Sequence, residues 1–116
     1  MKTQIWRFSV VVALALGCVG CGATALDVCI GSCDANKRCK YASDTDVANC
    51  KTDCNNNKGK YSDDDTQLGK DCKNASTIRS DQLKCTESTA CGSNSLEFVL
   101  SEASCIASAQ NNCVKP

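Results

Sequence analysis

The chain has 116 residues, of which 12 are Cys, 2 are Phe, 1 is Trp and none is His, and Lys+Arg and Asp+Glu both total 13. One small domain fills this length, and the lack of His excludes Ser-His-Asp and Cys-His nucleophiles, His-containing zinc sites and an imidazole working near neutral pH. A net charge of zero, with 10 Lys and only 3 Arg, leaves no basic footprint for nucleic acid.

At the start, Lys2 and Arg7 precede an uncharged run from Phe8 through Val10-Val11-Val12-Ala13-Leu14-Ala15-Leu16, followed by small residues ending Ala23-Thr24-Ala25. A positive end, a short apolar run and an A-x-A site form the layout of a secretory signal. Residues 1–25 are therefore expected to be removed, leaving 26–116 as a single domain. A membrane anchor competes, because Phe8 to Leu26 carries no charge, but three Gly, a Ser and a Thr dilute that run. In addition, Leu14-Ala15-Leu16-Gly17-Cys18 resembles the lipobox of bacterial lipoproteins, in which a small residue precedes a Cys that is acylated and becomes the new N-terminus. Cys18 and, after Val19-Gly20, Cys21 are thus candidates for lipidation. Acylating Cys18 leaves an odd eleven other Cys, whereas acylating Cys21 or cutting after Ala25 leaves an even ten.

Residues 26–116 contain 13 Leu, Ile, Val or Phe, about 14%, below the roughly 20% under which a chain ordinarily fails to fold. Ten Cys in the same stretch, about 11%, mark a disulfide scaffold instead. Zinc sites favour C-x2-C, and the one such pair, Cys18 with Cys21, lies in the segment expected to be removed. Cys29, Cys33, Cys39, Cys50, Cys54, Cys72, Cys85, Cys91, Cys105 and Cys113 are therefore expected to form five bridges, which requires an oxidising compartment.

Helix signals dominate and strand alternation is missing, so the fold class is all-α: a small disulfide-rich bundle of four or five short helices. Leu26, Cys29, Ile30, Cys33 and Lys37 share one helical face, in a pattern that runs to about Tyr41. Ser43 or Asp44 can cap a second helix through Val47, Cys50 and Cys54. Asn55-Asn56-Asn57-Lys58-Gly59 reads as a break, after which Ser62 and Asp65 resemble a capping box opening a third helix that carries Leu68, Cys72, Ala75 and Ile78. Ser80 caps a short piece with Leu83 and Cys85 that ends at Gly92-Ser93. In the last helix Leu96, Val99, Leu100, Ala103, Ile106 and Gln110 recur at i, i+3 and i+4, a face expected to pack against the hairpin.

Cysteines four apart lie on one helix face, so Cys29 with Cys33 and Cys50 with Cys54 form two sulfur stripes. An antiparallel hairpin turning near Ala42-Ser43 brings Cys33 to Cys50 and Cys29 to Cys54. This segment, Cys29 to Cys54, is similar to the helical hairpins of alpha-hairpinin peptides and of mitochondrial twin C-x3-C proteins. Those families use the hairpin for different ends, so the likeness implies a scaffold and no activity. Cys39 points about 120 degrees off the stripe and is expected to tether the hairpin to the C-terminal half. A turn near Ser95 makes Cys85 and Cys105 equidistant, and the remaining pairings stay open.

Asp63-Asp64-Asp65 lacks the Gly and Glu of a calcium loop, having Leu68 and Asn74 at those places, and is read as acidic charge at a helix N-terminus. Glu87, Glu97 and Glu102 are the only glutamates and are expected at the surface. Asn74-Ala75-Ser76 is a candidate glycosylation sequon. Cys85-Thr86-Glu87-Ser88-Thr89-Ala90-Cys91 resembles the Cys-Ala-Ser-Thr-Ala-Cys segment of oomycete elicitins, which implies a secreted helical sterol carrier. No catalytic, cofactor or metal residues are assigned. The functional expectation is an extracellular or envelope-attached, monomeric, non-catalytic protein that binds a macromolecule outside the cell, with contact to membrane only through a lipid anchor. The alternative is a carrier of an apolar small molecule such as a lipid or sterol.

Overall fold

The computed structural model describes residues 22–116, so the lipobox cysteines Cys18 and Cys21 and most of the signal segment lie outside it. Five helices and no strand occur among the described residues: α1 Ala25–Arg38, α2 Asp44–Asn56, α3 Lys58–Asp71, α4 Ala75–Ser88 and α5 Ser95–Gln110. The protein is a small all-helical bundle braced by five disulfides.

The first two helices begin with reciprocal capping boxes, Thr24 with Asp27 and Ser43 with Asp46, in which each side chain satisfies the other residue's otherwise unpaired backbone N–H. Between them Lys40 takes a left-handed φ of 63°, closing the turn that lays α2 back along α1. Cys29–Cys54 and Cys33–Cys50 cross-link the resulting twin C-x3-C hairpin. The two bridges stack, with the Cys33 and Cys54 sulfurs 3.7 Å apart. Buried Cys33, Val47 and Cys54, with Leu26, Cys29, Ile30, Ala42 and Cys50 packed around them, form the core of this hairpin.

The Asn-rich break is a single residue, Asn57, and α3 begins at Lys58, four positions before Ser62. The Asp63-Asp64-Asp65 run therefore lies inside α3 and not at its start. A second departure concerns Cys72 and Ile78. Helix α3 stops at Asp71, with Cys72 extended as its C-cap, and α4 then runs uninterrupted from Ala75 through Ser80 to Ser88. No Pro or Gly marks this boundary. The C-terminal tail imposes it: Cys113 bonds Cys72, the Lys73 N–H donates to Val114 O at 2.8 Å, and the Asn74 side chain donates to Asn112 O and accepts from the Val114 N–H. These bonds satisfy backbone groups that a continuous helix would have paired internally.

Helix α1 is central, with α2 on one side and α4 on the other. The α4 side rests on small residues, since a Cβ on Gly31 would sit 2.5 Å from Thr86 Oγ1 and 2.9 Å from Leu83 Cδ1. Ala35, one turn along, is also buried. The joint is locked at its far end by Cys39–Cys91, by the Tyr41 hydroxyl donating to Cys91 O at 2.7 Å, and by Arg38. The Arg38 guanidinium donates to the Thr86 and Thr89 carbonyls at 3.2 and 3.0 Å. It thereby supplies the cation that the last turn of α4 lacks.

Helix α5 packs on α4 through Cys85–Cys105. Its buried residues are Phe98, Glu102 and Ala109, whereas Leu96, Val99 and Leu100 are 67%, 47% and 61% exposed. The stripe expected to face the core is thus turned outward, and only Ile106 in it is half-buried. The rotation is set covalently: Phe98, seven residues before Cys105, and Ala109, four after it, share the helix face that the bridge pins to α4. Phe98 is fully buried against Tyr41, ring centroids 6.0 Å apart.

Candidate functional site

Among the described residues, two surface features bear on function. The first is an open cleft of about 420 Å³ to which every helix contributes. Val28 and Cys29 of α1, Cys50 of α2, Tyr61 of α3 and Ile106 of α5 form its apolar part, and the Tyr61 hydroxyl donates to Cys29 Sγ at 3.3 Å. Ser32, Asp64, Arg79 and Gln82 form its polar part. Ser32, Arg79 and Gln82 are each held by a neighbour. The Ser32 hydroxyl donates to Glu102 Oε1 at 2.6 Å, Arg79 Nη1 donates to Gln82 Oε1 at 2.8 Å, and Gln82 Nε2 donates to Ile106 O at 3.3 Å. Glu102 is therefore not a surface carboxylate: it is buried, and its Oε2 has no hydrogen-bond partner. A cleft of this size and mixed lining is within the range of small-ligand sites.

The second feature is the outward ridge of α5, with Leu96, Val99 and Leu100 at i, i+3 and i+4 and exposed Ala103 continuing the line. The helix carries no Lys or Arg. The ridge is rigid at both ends of the molecule's second half, because Cys85–Cys105 fixes its rotation and Cys72–Cys113 fixes the chain that leaves it.

All ten cysteines from Cys29 to Cys113 are paired: 29 with 54, 33 with 50, 39 with 91, 72 with 113 and 85 with 105. The sulfurs of Cys33, Cys50 and Cys54 lie within 4.8 Å of one another because two bridges are stacked there, and each is committed to a disulfide. Cys85 and Cys91 have different partners, so the segment resembling elicitins closes no loop of its own. Asn74 is a structural residue, its amide nitrogen donating to Asn112 O at 2.9 Å and its oxygen accepting from Val114 N–H at 2.8 Å. A glycan on that nitrogen would break the clasp of the C-terminal tail.

Gln82, Arg79 and the buried position of Glu102 have no local signal in the sequence. Their partners come from other helices, as with Ser32 and Glu102, 70 positions apart. One signal was present: Gly31 and Ala35, four apart, form a small-residue strip on the side of α1 where α4 approaches. No family model, curated protein or solved structure matches the chain significantly. Five bridges fit an oxidising environment, and among the described residues no helix is long and apolar enough to cross a membrane.

Proposed function

We propose that this chain is a secreted, non-catalytic binding module that docks on a protein outside the cell through the outward ridge of α5. The observation that carries the proposal is the exposure of Leu96, Val99 and Leu100 on one line of a covalently braced helix. Only 13 residues of 26–116 are Leu, Ile, Val or Phe, and a chain so short of apolar side chains leaves three together in water at a cost to its own core. Contiguous exposed apolar surface of this kind is the ordinary mark of a contact site. The absence of Lys and Arg from α5 disfavours an anionic lipid surface as its occupant, and an apolar patch on a protein is the complement that remains. Bridges on both sides hold the ridge in its binding form beforehand, which lowers the entropy lost on association.

The test is a photo-crosslinking residue at Leu100, with the same residue at exposed Asp53 as control, applied to intact cells or extracellular fluid of the source. A discrete crosslinked protein at position 100, absent at 53 and lost with Leu96→Glu, is expected. No adduct, or the same adducts at both positions, contradicts the proposal.

The cleft supports a second proposal, the carriage of a small apolar molecule, with Val28, Tyr61 and Ile106 as the apolar wall. Solvent extraction of the secreted protein separates the two. Lipid near one molecule per chain favours carriage, and lipid-free protein favours the binding module.

A further inference from the structure

We infer that the mature chain begins at Thr24, a cut two residues earlier than the A-x-A pattern indicates; this rests on the secretory reading above. The reason lies in what residues 24 and 25 do in the fold. Thr24 is the N-cap of α1, its Oγ1 accepting from the Asp27 N–H at 3.1 Å while Asp27 Oδ2 accepts from the Thr24 N–H at 3.0 Å. The Ala25 N–H donates to both carboxylate oxygens of Asp65, at 3.0 and 3.2 Å, and Arg79 Nε holds the same carboxylate at 2.8 Å. Asp65 of α3 is thus a second acceptor at the start of α1, and α1, α3 and α4 meet there. Ala25 is itself buried.

A cut after Ala25 removes the cap, the buried side chain and the donor to Asp65 together. It also creates an ammonium at Leu26, inside the first turn of α1, where the helix dipole opposes positive charge. A cut after Ala23 avoids all three losses. Cys21-Gly22-Ala23 has the same small-x-small form as Ala23-Thr24-Ala25 and meets the same requirement of an export-linked signal protease. Water then adds across the Ala23–Thr24 amide, leaving a carboxylate on Ala23 and an ammonium on Thr24. That ammonium takes the place of the N–H already 3.0 Å from Asp27 Oδ2, so the hydrogen bond becomes a charge-assisted one. The cut also discards Cys18 and Cys21. The ten cysteines that remain are those already paired with one another, and no thiol is left over.

N-terminal sequencing and intact mass of the natural secreted protein, before and after reduction and alkylation, test the inference. The expected product starts at Thr24, spans 93 residues (116 minus 23), and gains ten alkyl groups only after reduction. A product starting at Leu26, or one starting at Cys21 with added acyl mass, overturns the inference while leaving export intact. A product starting at Met1 overturns both. As an independent readout, Thr24→Ala in the full precursor is expected to lower the melting midpoint of the secreted protein by about 4–8 °C. An unchanged midpoint contradicts the role given to Thr24.

Discussion

The N-terminal hairpin and the C-terminal half answer the same shortage of apolar side chains in different ways. In the hairpin, sulfur is the core: two stacked bridges, Cys29–Cys54 and Cys33–Cys50, occupy the space between α1 and α2, and Val47 is the buried aliphatic side chain beside them. In the second half the bridges are scattered, and the packing falls to single large residues, with Leu68 and Ile78 under the tail and Phe98 against Tyr41. There the crosslinks act as orienting pins. Cys85–Cys105 turns α5 so that its longer apolar stripe stays in water, and Cys72–Cys113 ties the C-terminal tail to the gap between α3 and α4.

Cutting the crosslinks one at a time sharpens this contrast. Cys33→Ala with Cys50→Ala should cost about 2–5 kcal/mol in denaturant unfolding, because it removes both a chain constraint and a large part of the hairpin's buried volume. Cys72→Ala with Cys113→Ala should act locally, raising hydrogen exchange at residues 72–74 and 111–115 while α1 and α2 keep their protection. Equal, global losses from the two pairs would erase the distinction between the halves.

The seam between the regions gives an intermediate effect. Gly31→Ala should destabilise by about 1–3 kcal/mol, since its methyl must displace buried Thr86 and Leu83. Gly69→Ala, with open space around the new methyl, should stabilise by about 0.5–1 kcal/mol. A gain at both positions in the same melting series would show that α1 and α4 are not closely apposed.

The smallest effect is at the hairpin's turn. Ser43→Ala should cost about 1 kcal/mol through loss of the α2 cap. Its partner Asp46 is held below the ordinary carboxylate range by the hydrogen bond from the Ser43 backbone N–H, reinforced by the Ser43 hydroxyl. A carboxylate depressed in the folded state lends its stability in full above its unfolded value, near about 3.9. That contribution is lost as pH falls through the lower folded value. Asp46→Asn should therefore flatten the acid limb of a stability–pH profile by lowering stability at neutral pH while leaving the low-pH end nearly unchanged.

The two regions also differ in how much of them could be read from the residues. Twin C-x3-C spacing indexes itself, because two sulfurs on each of two helix faces admit one antiparallel register, and the Ser43 cap and the turn before it follow from local chemistry. The break at residues 72–74 has no local cause. It depends on hydrogen bonds with Asn112 O, which accepts from the Asn74 side chain, and with the Val114 N–H, which donates to it, some 40 positions away. The inward face of α5 depends on where Cys105 finds its partner, and apolar periodicity alone picks the wrong side. By sequence Asp65 belongs to its own helix's N-terminus, whereas the structure uses it at the start of α1. The cleft's polar wall was out of reach for the same reason, since Ser32, Glu102, Gln82 and Arg79 come from three helices whose packing no short window records.

Covalent sulfur links, in place of an oily interior, keep the chain compact, and helicity followed by circular dichroism during a reductant titration tests this most directly. Untreated protein should take up no alkylating reagent and melt cooperatively, and full reduction should abolish that melting together with most of the helix signal. Retention of the native spectrum and melting midpoint after all ten bridged sulfurs have been alkylated would contradict it.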